Sequence, residues 1–470
     1  MVDGYLTAVD GASTDLSRPA AALLALYRES GTGFLNRLRG SFIATIVDLA
    51  RRRVLIFNDR RASRPCFYRT GADGSLTFAP ETALLALEHG RLAPIDYQAV
   101  TELLIFGSYF DDRTLFSNVR KLPPASCVEL TPNAARFDRY WQLRFDGSRA
   151  NRSHNELVDE CADLVRISVR RHLARVPKPV LLLSGGTDSR IILASMLAEG
   201  LSAPAASYGT GRGDDVEVAT RVAQAAGISL QLFTIPTTDP SADFVEAALE
   251  SDCRAESIDT PSLRVLHRQL AESYDGYING DECFGWKKAH SPDDAFRVVG
   301  LHRLSQASRL LEWIAPDQRR PICGGIDVTR ERLQATAGPL APGELKDWLY
   351  YHSRLGNMLN SYTGGKLRYY EQVRPLIDED LIDFAAGLPT ALRNDKALLR
   401  DTLKLRAREN LAKSMARRGA LRAGAKLDAK EMRSLIDQLF QCEMPYVCPY
   451  GRPTQVSLSL EELETRFSQG

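Results

Sequence analysis

The sequence predicts an α/β fold, a strand-rich amino-terminal domain followed by a doubly wound parallel sheet, on three observations. The run Pro179-Val180-Leu181-Leu182-Leu183 is apolar without alternation, as a central parallel strand covered on both faces requires. After it, strand and helix runs alternate: Ile191 to Leu197 reads as a helix, Ala203 to Tyr208 as a second strand and Val216 to Ala226 as a second helix. That β-α-β-α order specifies a parallel sheet with helical crossovers. Before about residue 145 the chain instead shows short strand runs separated by turns.

Taken in order, Ser41 to Asp48 and Arg53 to Asp59 form a hairpin closed by the polar turn Leu49 to Arg52. Ala21 to Arg28 and Ile95 to Phe106 carry apolar residues at helical spacing. Turn-forming residues from Phe145 to Ser153 mark a linker. The expected division is a first domain over 1–145, a linker over 146–156 and a second domain over 157–470. Leu157, Cys161, Leu164, Val165 and Val169 predict a helix that ends before Pro177-Lys178-Pro179. Between 287 and 345 the expectation is of helices separated by Pro316, Pro321, Pro339 and Pro342.

Composition narrows the function classes. Sixty Lys and Arg against 59 Asp and Glu leave a net charge of +1, which supplies no field for nucleic acid or an anionic membrane. No run reaches the roughly 18 apolar residues of a membrane span, and Met1-Val2-Asp3-Gly4 lacks the basic start of a signal peptide. The 8 cysteines show no CxxC spacing, so reduced thiols are expected rather than a zinc site. A cytoplasmic enzyme with no nucleic-acid or membrane partner is the resulting expectation.

The chemistry centres on Leu183-Ser184-Gly185-Gly186-Thr187-Asp188-Ser189. Two residues without Cβ let the backbone turn and offer N–H groups to an anion, Ser184 and Ser189 add hydroxyls, and the following helix directs its positive end at the same place. A carboxylate there, Asp188, makes sense if a divalent cation bridges it to phosphate oxygens. The run resembles the S-G-G-x-D-S signature of the ATP pyrophosphatases, which cleave ATP to AMP and pyrophosphate. The resemblance implies that Leu183, Ser184, Gly185, Gly186, Asp188 and Ser189 hold ATP and that Mg²⁺ is bound at Asp188.

Further motifs follow one family's order. Leu38-Arg39-Gly40-Ser41-Phe42, Asn58-Asp59-Arg60-Arg61, Pro65-Cys66-Phe67-Tyr68, Thr114-Leu115-Phe116, Lys121-Leu122-Pro123-Pro124 and Tyr140-Trp141 resemble the glutaminase-like domain of class B asparagine synthetases, an Ntn-hydrolase-like α+β fold. That domain opens with Met-Cys. Met1-Val2-Asp3 stands here instead, and the first cysteine is Cys66, so a degenerate, glutaminase-inactive domain is expected. In the second domain the resemblance makes Tyr208 an adenine contact, and Asn279-Gly280 the nucleotide-contacting pair. Asp281-Glu282 stand where the family's metal-binding pair sits, with Asp281 the second Mg²⁺ ligand. Glu371-Gln372-Val373-Arg374-Pro375-Leu376-Ile377-Asp378 is similar to E-x-R-x-P-F-L-D, and Lys396-Ala397-Leu398-Leu399-Arg400 to K-x-x-L-R. Glu371 is thereby expected to help deprotonate the attacking amine, and Arg418 or Lys426 to replace the family lysine that stabilises the adenylate. No lysine of this chain aligns with it cleanly.

The implied reaction is adenylation of a carboxylate by ATP followed by amide formation. Loss of the cysteine shifts the expectation toward β-lactam synthetases and lasso peptide cyclases, in which the substrate's own amine closes a ring. The expected partners are a small-molecule or peptide carboxylate bearing an amine, and a precursor peptide with its protease. An amidation using ammonia or a small amine, and a non-catalytic nucleotide binder, are the alternatives.

Overall fold

The computed structural model of the protein describes residues 1–10, 16–88, 90–209, 214–234, 260–285, 287–302, 312 and 315–405. The chain separates into two compact units, Met1–Leu403 and Lys404–Gly470, and the strands and helices named below belong to the first.

The amino-terminal half is built on an antiparallel sheet. Its strands are β1 (Val2–Val9), β2 (Leu38–Asp48) and β3 (Arg53–Asn58). The smaller strands β4 (Phe67–Thr70), β5 (Leu76–Ala79) and β6 (Val119–Lys121) form a second sheet. Then β7 (Ser126–Thr131) and β8 (Ala134–Arg139) complete the first. Spatial order in the large sheet is β1-β2-β3-β7-β8. Alternating residues Phe42, Ala44, Ile46, Leu55 and Phe57 face helix α1 (Pro19–Ser30) and meet its Leu23, Leu26 and Tyr27. Each fully buried Phe, Ile or Leu among them contributes about 1.5–3 kcal/mol of burial free energy. Helix α2 (Tyr97–Phe106) is capped by Asp96, whose carboxylate accepts from the N–H groups of Gln98 and Ala99.

Helix α3 (His154–Leu173) opens with the capping box Ser153–Glu156 and buries Leu157, Cys161, Val165 and Val169. The parallel sheet then forms from β9 (Pro179–Leu182), β10 (Ala205–Gly209), β11 (Leu230–Thr234), β12 (Gly276–Ile278) and β13 (Glu371–Val373). Helices α4 (Thr187–Ala198), α5 (Asp214–Ala226) and α6 (Thr260–Ala271) connect its first strands. Spatial order is β11-β10-β9-β12-β13 with every pairing parallel. The chain therefore winds outward from β9 through β11, then returns to place β12 on the other side of β9. The crevice at the carboxyl ends of β9 and β12 is the topological switch point, where such sheets bind ligands.

Helix α7 (Pro292–Val298) starts at the Ser291 cap, and α8 (Pro316–Ala337) follows. Pro316 occupies the first turn of α8, as its missing N–H allows, but the helix continues through Pro321 instead of ending there. The expected break at Pro321 is thus corrected: its position close to the helix start forgoes only one ladder bond.

Buried arginines join the two halves. Asp59 accepts from the backbone N–H groups of Phe42, Arg61 and Ser63, which fixes the turn after β3. From that turn Arg61 donates to the carbonyl of Ile377 at 2.7 Å, and Arg60 pairs with Asp383 at 2.8 Å. Arg39 of β2 reaches Asp380 at 2.9 Å. Tyr5 of β1 completes the seam: its hydroxyl contacts His172 Nδ1 at 3.0 Å and donates to the Gln372 carbonyl, while His172 Nε2 meets Asp378 at 3.1 Å. The Asn58-Asp59-Arg60-Arg61 motif therefore binds the first sheet to the segment after β13.

Candidate active site

The loop after β9 is held by its own side chains. Ser184 N–H donates to Ser189 Oγ at 3.1 Å, Gly186 N–H to Ser184 Oγ at 3.2 Å, and Gly185 N–H to Asp215 Oδ1 at 3.1 Å. Gly186 is the N-cap of α4 at φ −70° and ψ 156°, an ordinary extended conformation. Gly185 is thus needed for space rather than for left-handed backbone. A Cβ on Gly185 would stand 2.8 Å from Asp215 Oδ1, and one on Gly280 would stand 2.7 Å from Asp188 Cβ and 3.1 Å from Ser189 N. Gly280 therefore lets the strand end of β12 press onto the first turn of α4.

A cleft of about 310 Å³ lies here, lined by Leu183, Ser184, Asp188, Ser189, Tyr208, Asn279 and Gly280. The structure thus brings these expected nucleotide contacts to one cavity, with Gly185 and Gly186 in the loop at its edge. Asn279 N–H donates to the Val373 carbonyl at 3.0 Å, and its Oδ1 accepts from Asp281 N–H at 3.2 Å, which sets the turn into the acidic pair. Tyr208 packs near Tyr277 and Tyr370, two rings stacked 5.2 Å apart.

The electrostatic centre is Asp188. Its Oδ2 accepts from Lys396 Nζ at 2.6 Å, and the same ammonium stands 3.4 Å from Glu282 Oε1. Burial raises the Asp188 carboxyl above its ordinary range, and Lys396 opposes that shift. Glu282 is pushed up to about 7, first by burial, with Lys396 pulling against it and Asp188 adding to it. Burial alone would lower the Lys396 ammonium, but Glu282 and Asp188 outweigh it and hold the charge on. The lysine is carried by a turn in which Asp395 and Lys396 both have left-handed backbone, φ 52° and 57°. Two successive residues of that kind cost on the order of 1 kcal/mol or more each, strain of the sort that accumulates where a side chain must be aimed.

The donors present fit a divalent cation. Asp188 Oδ1 is buried without a hydrogen-bond donor, Glu282 Oε1 has only the Lys396 ammonium at 3.4 Å, and the Asp281 carboxylate acts electrostatically on Asp188. Asp281 itself pairs with the buried Arg374 at 2.9 Å, an interaction a cation at that carboxylate would share. No group of three or more His, Cys, Asp or Glu among the described residues closes a metal cage alone. A cation here would complete its shell with phosphate oxygens, as Mg²⁺ does.

The sheet register does not bring Glu371 to this centre. Glu371 pairs with Gly276 at the amino ends of their strands, about 10 Å along the sheet from Asn279 at ~3.3 Å per residue. Its carboxylate is instead ion-paired with Arg64 of the first domain. Arg374, one place beyond the family position, is aimed at Asp281 because Val373 fills the buried inward position of β13. Arg418 and Lys426 lie outside the described residues. Sequence reasoning misses Lys396 as a site residue although the K-x-x-L-R resemblance contains it, and that motif is the signal that could have found it.

A second, open cavity of about 970 Å³ adjoins the first turn of α4, lined by Thr187, Gly285, Lys287, Lys288, Arg297, Asp395, Lys396 and Arg400 among others. Asp188 lines one cavity, and its neighbour Thr187 and its partner Lys396 line the other.

Residues 16–141 match a family model described as a glutamine amidotransferase domain, and residues 160–312 match one described as asparagine synthase. Short stretches are similar to DNA mismatch repair proteins MutL. That of Prosthecochloris aestuarii is 55% identical over 67 residues, 14% of this chain and 11% of that protein. That of Chlorobaculum parvum is 45% identical over 159 residues, 31% of this chain and 24% of that protein. The chain thus spans no more than about a quarter of these relatives' length. A glutamine-dependent NAD(+) synthetase from Cytophaga hutchinsonii aligns at a TM-score of 0.20 and 14% identity, over 70% of this chain and 62% of that one, a likeness too loose to carry an argument. The chain therefore carries a glutamine amidotransferase-type domain followed by an asparagine synthase-type domain with a parallel sheet.

Proposed function

We propose that the protein is an ATP-dependent amide synthetase: it adenylates a carboxylate, releases pyrophosphate, and lets an amine displace AMP. The observation that carries this reading is the Lys396 ammonium set between Asp188 and Glu282 at the mouth of the serine–glycine loop. A carboxylate is a poor electrophile, and its attack on the α-phosphate moves negative charge onto the departing pyrophosphate. Fixed cations and N–H groups that meet that charge in place lower the barrier. Lys396 and the amino end of α4 are such groups. Asp188 and Asp281 would hold Mg²⁺, which would neutralise phosphate charge in the bound nucleotide. In this reading adenine would lie on the Tyr208 side of the 310 Å³ cleft.

The amine is not drawn from glutamine in this reading. The cysteines of the first domain, Cys66 and Cys127, are buried, and burial pushes their thiols up to about 12 and about 11, far from the thiolate a nucleophile needs. An amine within the substrate then closes a ring, as in the synthesis of a peptide or other natural product, and a precursor peptide with its protease are the partners this implies. ATP–pyrophosphate exchange with a panel of carboxylates tests the reading. Exchange that disappears in Asp188→Ala is the expected result; absence of exchange, together with failure to bind a non-hydrolysable ATP analogue and Mg²⁺, refutes it.

A further inference from the structure

We propose that the 970 Å³ cavity is the acyl-donor subsite, and that it takes a polyanionic donor carrying fixed negative charges besides the carboxylate that is activated, as an acidic peptide segment does. The inference rests on the adenylation reading and adds the substrate class to it.

Three observations combine. The first is place. Thr187 opens α4 beside the metal-binding carboxylate, so a donor in this cavity has its carboxylate next to the phosphates held in the adjoining cleft. The second is size. A departing pyrophosphate, on the order of five waters in bulk at about 30 Å³ each, fills roughly a sixth of 970 Å³. The cavity is instead at the upper end of the range that holds whole small-molecule ligands.

The third is cationic charge that no carboxylate among the described residues neutralises. Lys396 is already held by Asp188 and Glu282, Arg297 pairs with Asp294, and Arg400 donates to the Asp395 carbonyl. Lys287 and Lys288 have no carboxylate in ion-pair range among the described residues, and both are exposed on the cavity wall. An anion in the cavity would meet both exposed ammonium groups, and in water each such contact gains about 1 kcal/mol or less. The wall is also built to stay in place. Behind it the wholly buried Lys346 bonds Asn394 Oδ1 and Asp347 at 2.9 Å each, and Arg393 meets Asp347 at 2.6 Å. That network holds the Asn394 turn, which leads to Lys396, and lies against Gly285, where a Cβ would stand 2.3 Å from Asp347 Oδ1. The Lys396 rim is thereby held in place before any ligand arrives.

The test uses the full chain with the nucleotide site filled by α,β-methylene-ATP and Mg²⁺, and titrates hexaglutamate against hexaglutamine. Hexaglutamate should bind the tighter, with an affinity that falls as salt rises. Lys287→Ser with Lys288→Ser should weaken hexaglutamate about tenfold, as two exposed charge contacts allow, and leave the analogue's affinity within about twofold. Lys287→Arg with Lys288→Arg should retain the binding. Hexaglutamate no tighter than hexaglutamine overturns the proposal, as does a serine double variant that keeps full hexaglutamate affinity or loses the analogue in equal measure. Failure of the wild-type chain to bind the analogue instead overturns the adenylation reading beneath it.

Discussion

Replacing Lys396 with methionine keeps most of the side-chain volume and removes one charge from between two buried carboxylates. The ammonium stands 2.6 Å from Asp188 and 3.4 Å from Glu282. At an effective dielectric of about 20 those separations correspond to about 6 and about 5 kcal/mol of gross attraction. Desolvation offsets much of it, and Lys396 keeps a quarter of its side chain in solvent, so the net loss of folding stability should be about 2–3 kcal/mol. The remaining carboxylates repel, and one of them takes up a proton that the ammonium now keeps off. Urea unfolding of both proteins measures the first effect. Exchange of labelled pyrophosphate into ATP measures the second, with an expected fall of about 10²–10³ from loss of a fixed charge facing the leaving group. Because both carboxylates ionise at higher pH once the lysine is gone, residual exchange should rise toward alkaline pH relative to wild type. Exchange within about threefold of wild type, with an unshifted pH profile, would refute the role given to Lys396.

Two further outcomes are expected. Gly280→Ala places a methyl group 2.7 Å from Asp188 Cβ and 3.1 Å from the Ser189 nitrogen, against backbone that cannot yield cheaply. Affinity for α,β-methylene-ATP should drop at least tenfold, with about 1–3 kcal/mol lost from folding, and an unchanged affinity would show that the strand end and the helix do not form one site. For pH dependence, Glu102 is wholly buried in the first domain, and burial pushes its carboxyl from 4.5 up to about 7 against the pull of Arg113. Between those values the folded state binds the extra proton, so stability should rise as pH falls from about 7 to about 5. Glu102→Gln should flatten that slope by up to about 3 kcal/mol, measured by urea unfolding at several pH values. Burial lowers His172 below 6.5 in opposition to Asp378, so its contribution runs the other way and is lost as pH falls.

Local patterns were legible wherever one short segment carries the whole signal. The unbroken apolar run of β9 and the serine–glycine turn after it declare a buried parallel strand and an anion loop, because burial on both faces and close approach of backbone each demand particular residue types in consecutive places. The alternation of Phe42, Ala44 and Ile46 declares a half-buried strand for the same reason. Asp188, Ser184 and Asn279 could be named from sequence since each stands shortly after a strand. Tertiary structure alone decided what meets what across long separations. The chain distance from Asp188 to Lys396 contains no periodicity that would pair them; a strained turn and the buried Lys346–Asp347–Arg393 network do so. Glu371 carries a family motif, yet the register of β13 against β12 leaves it at the far end of the strand, paired with Arg64. Sequence determined which groups the protein owns and the local backbone that bears them. Sheet order and register, which depend on packing over hundreds of residues, determined which of those groups share one site.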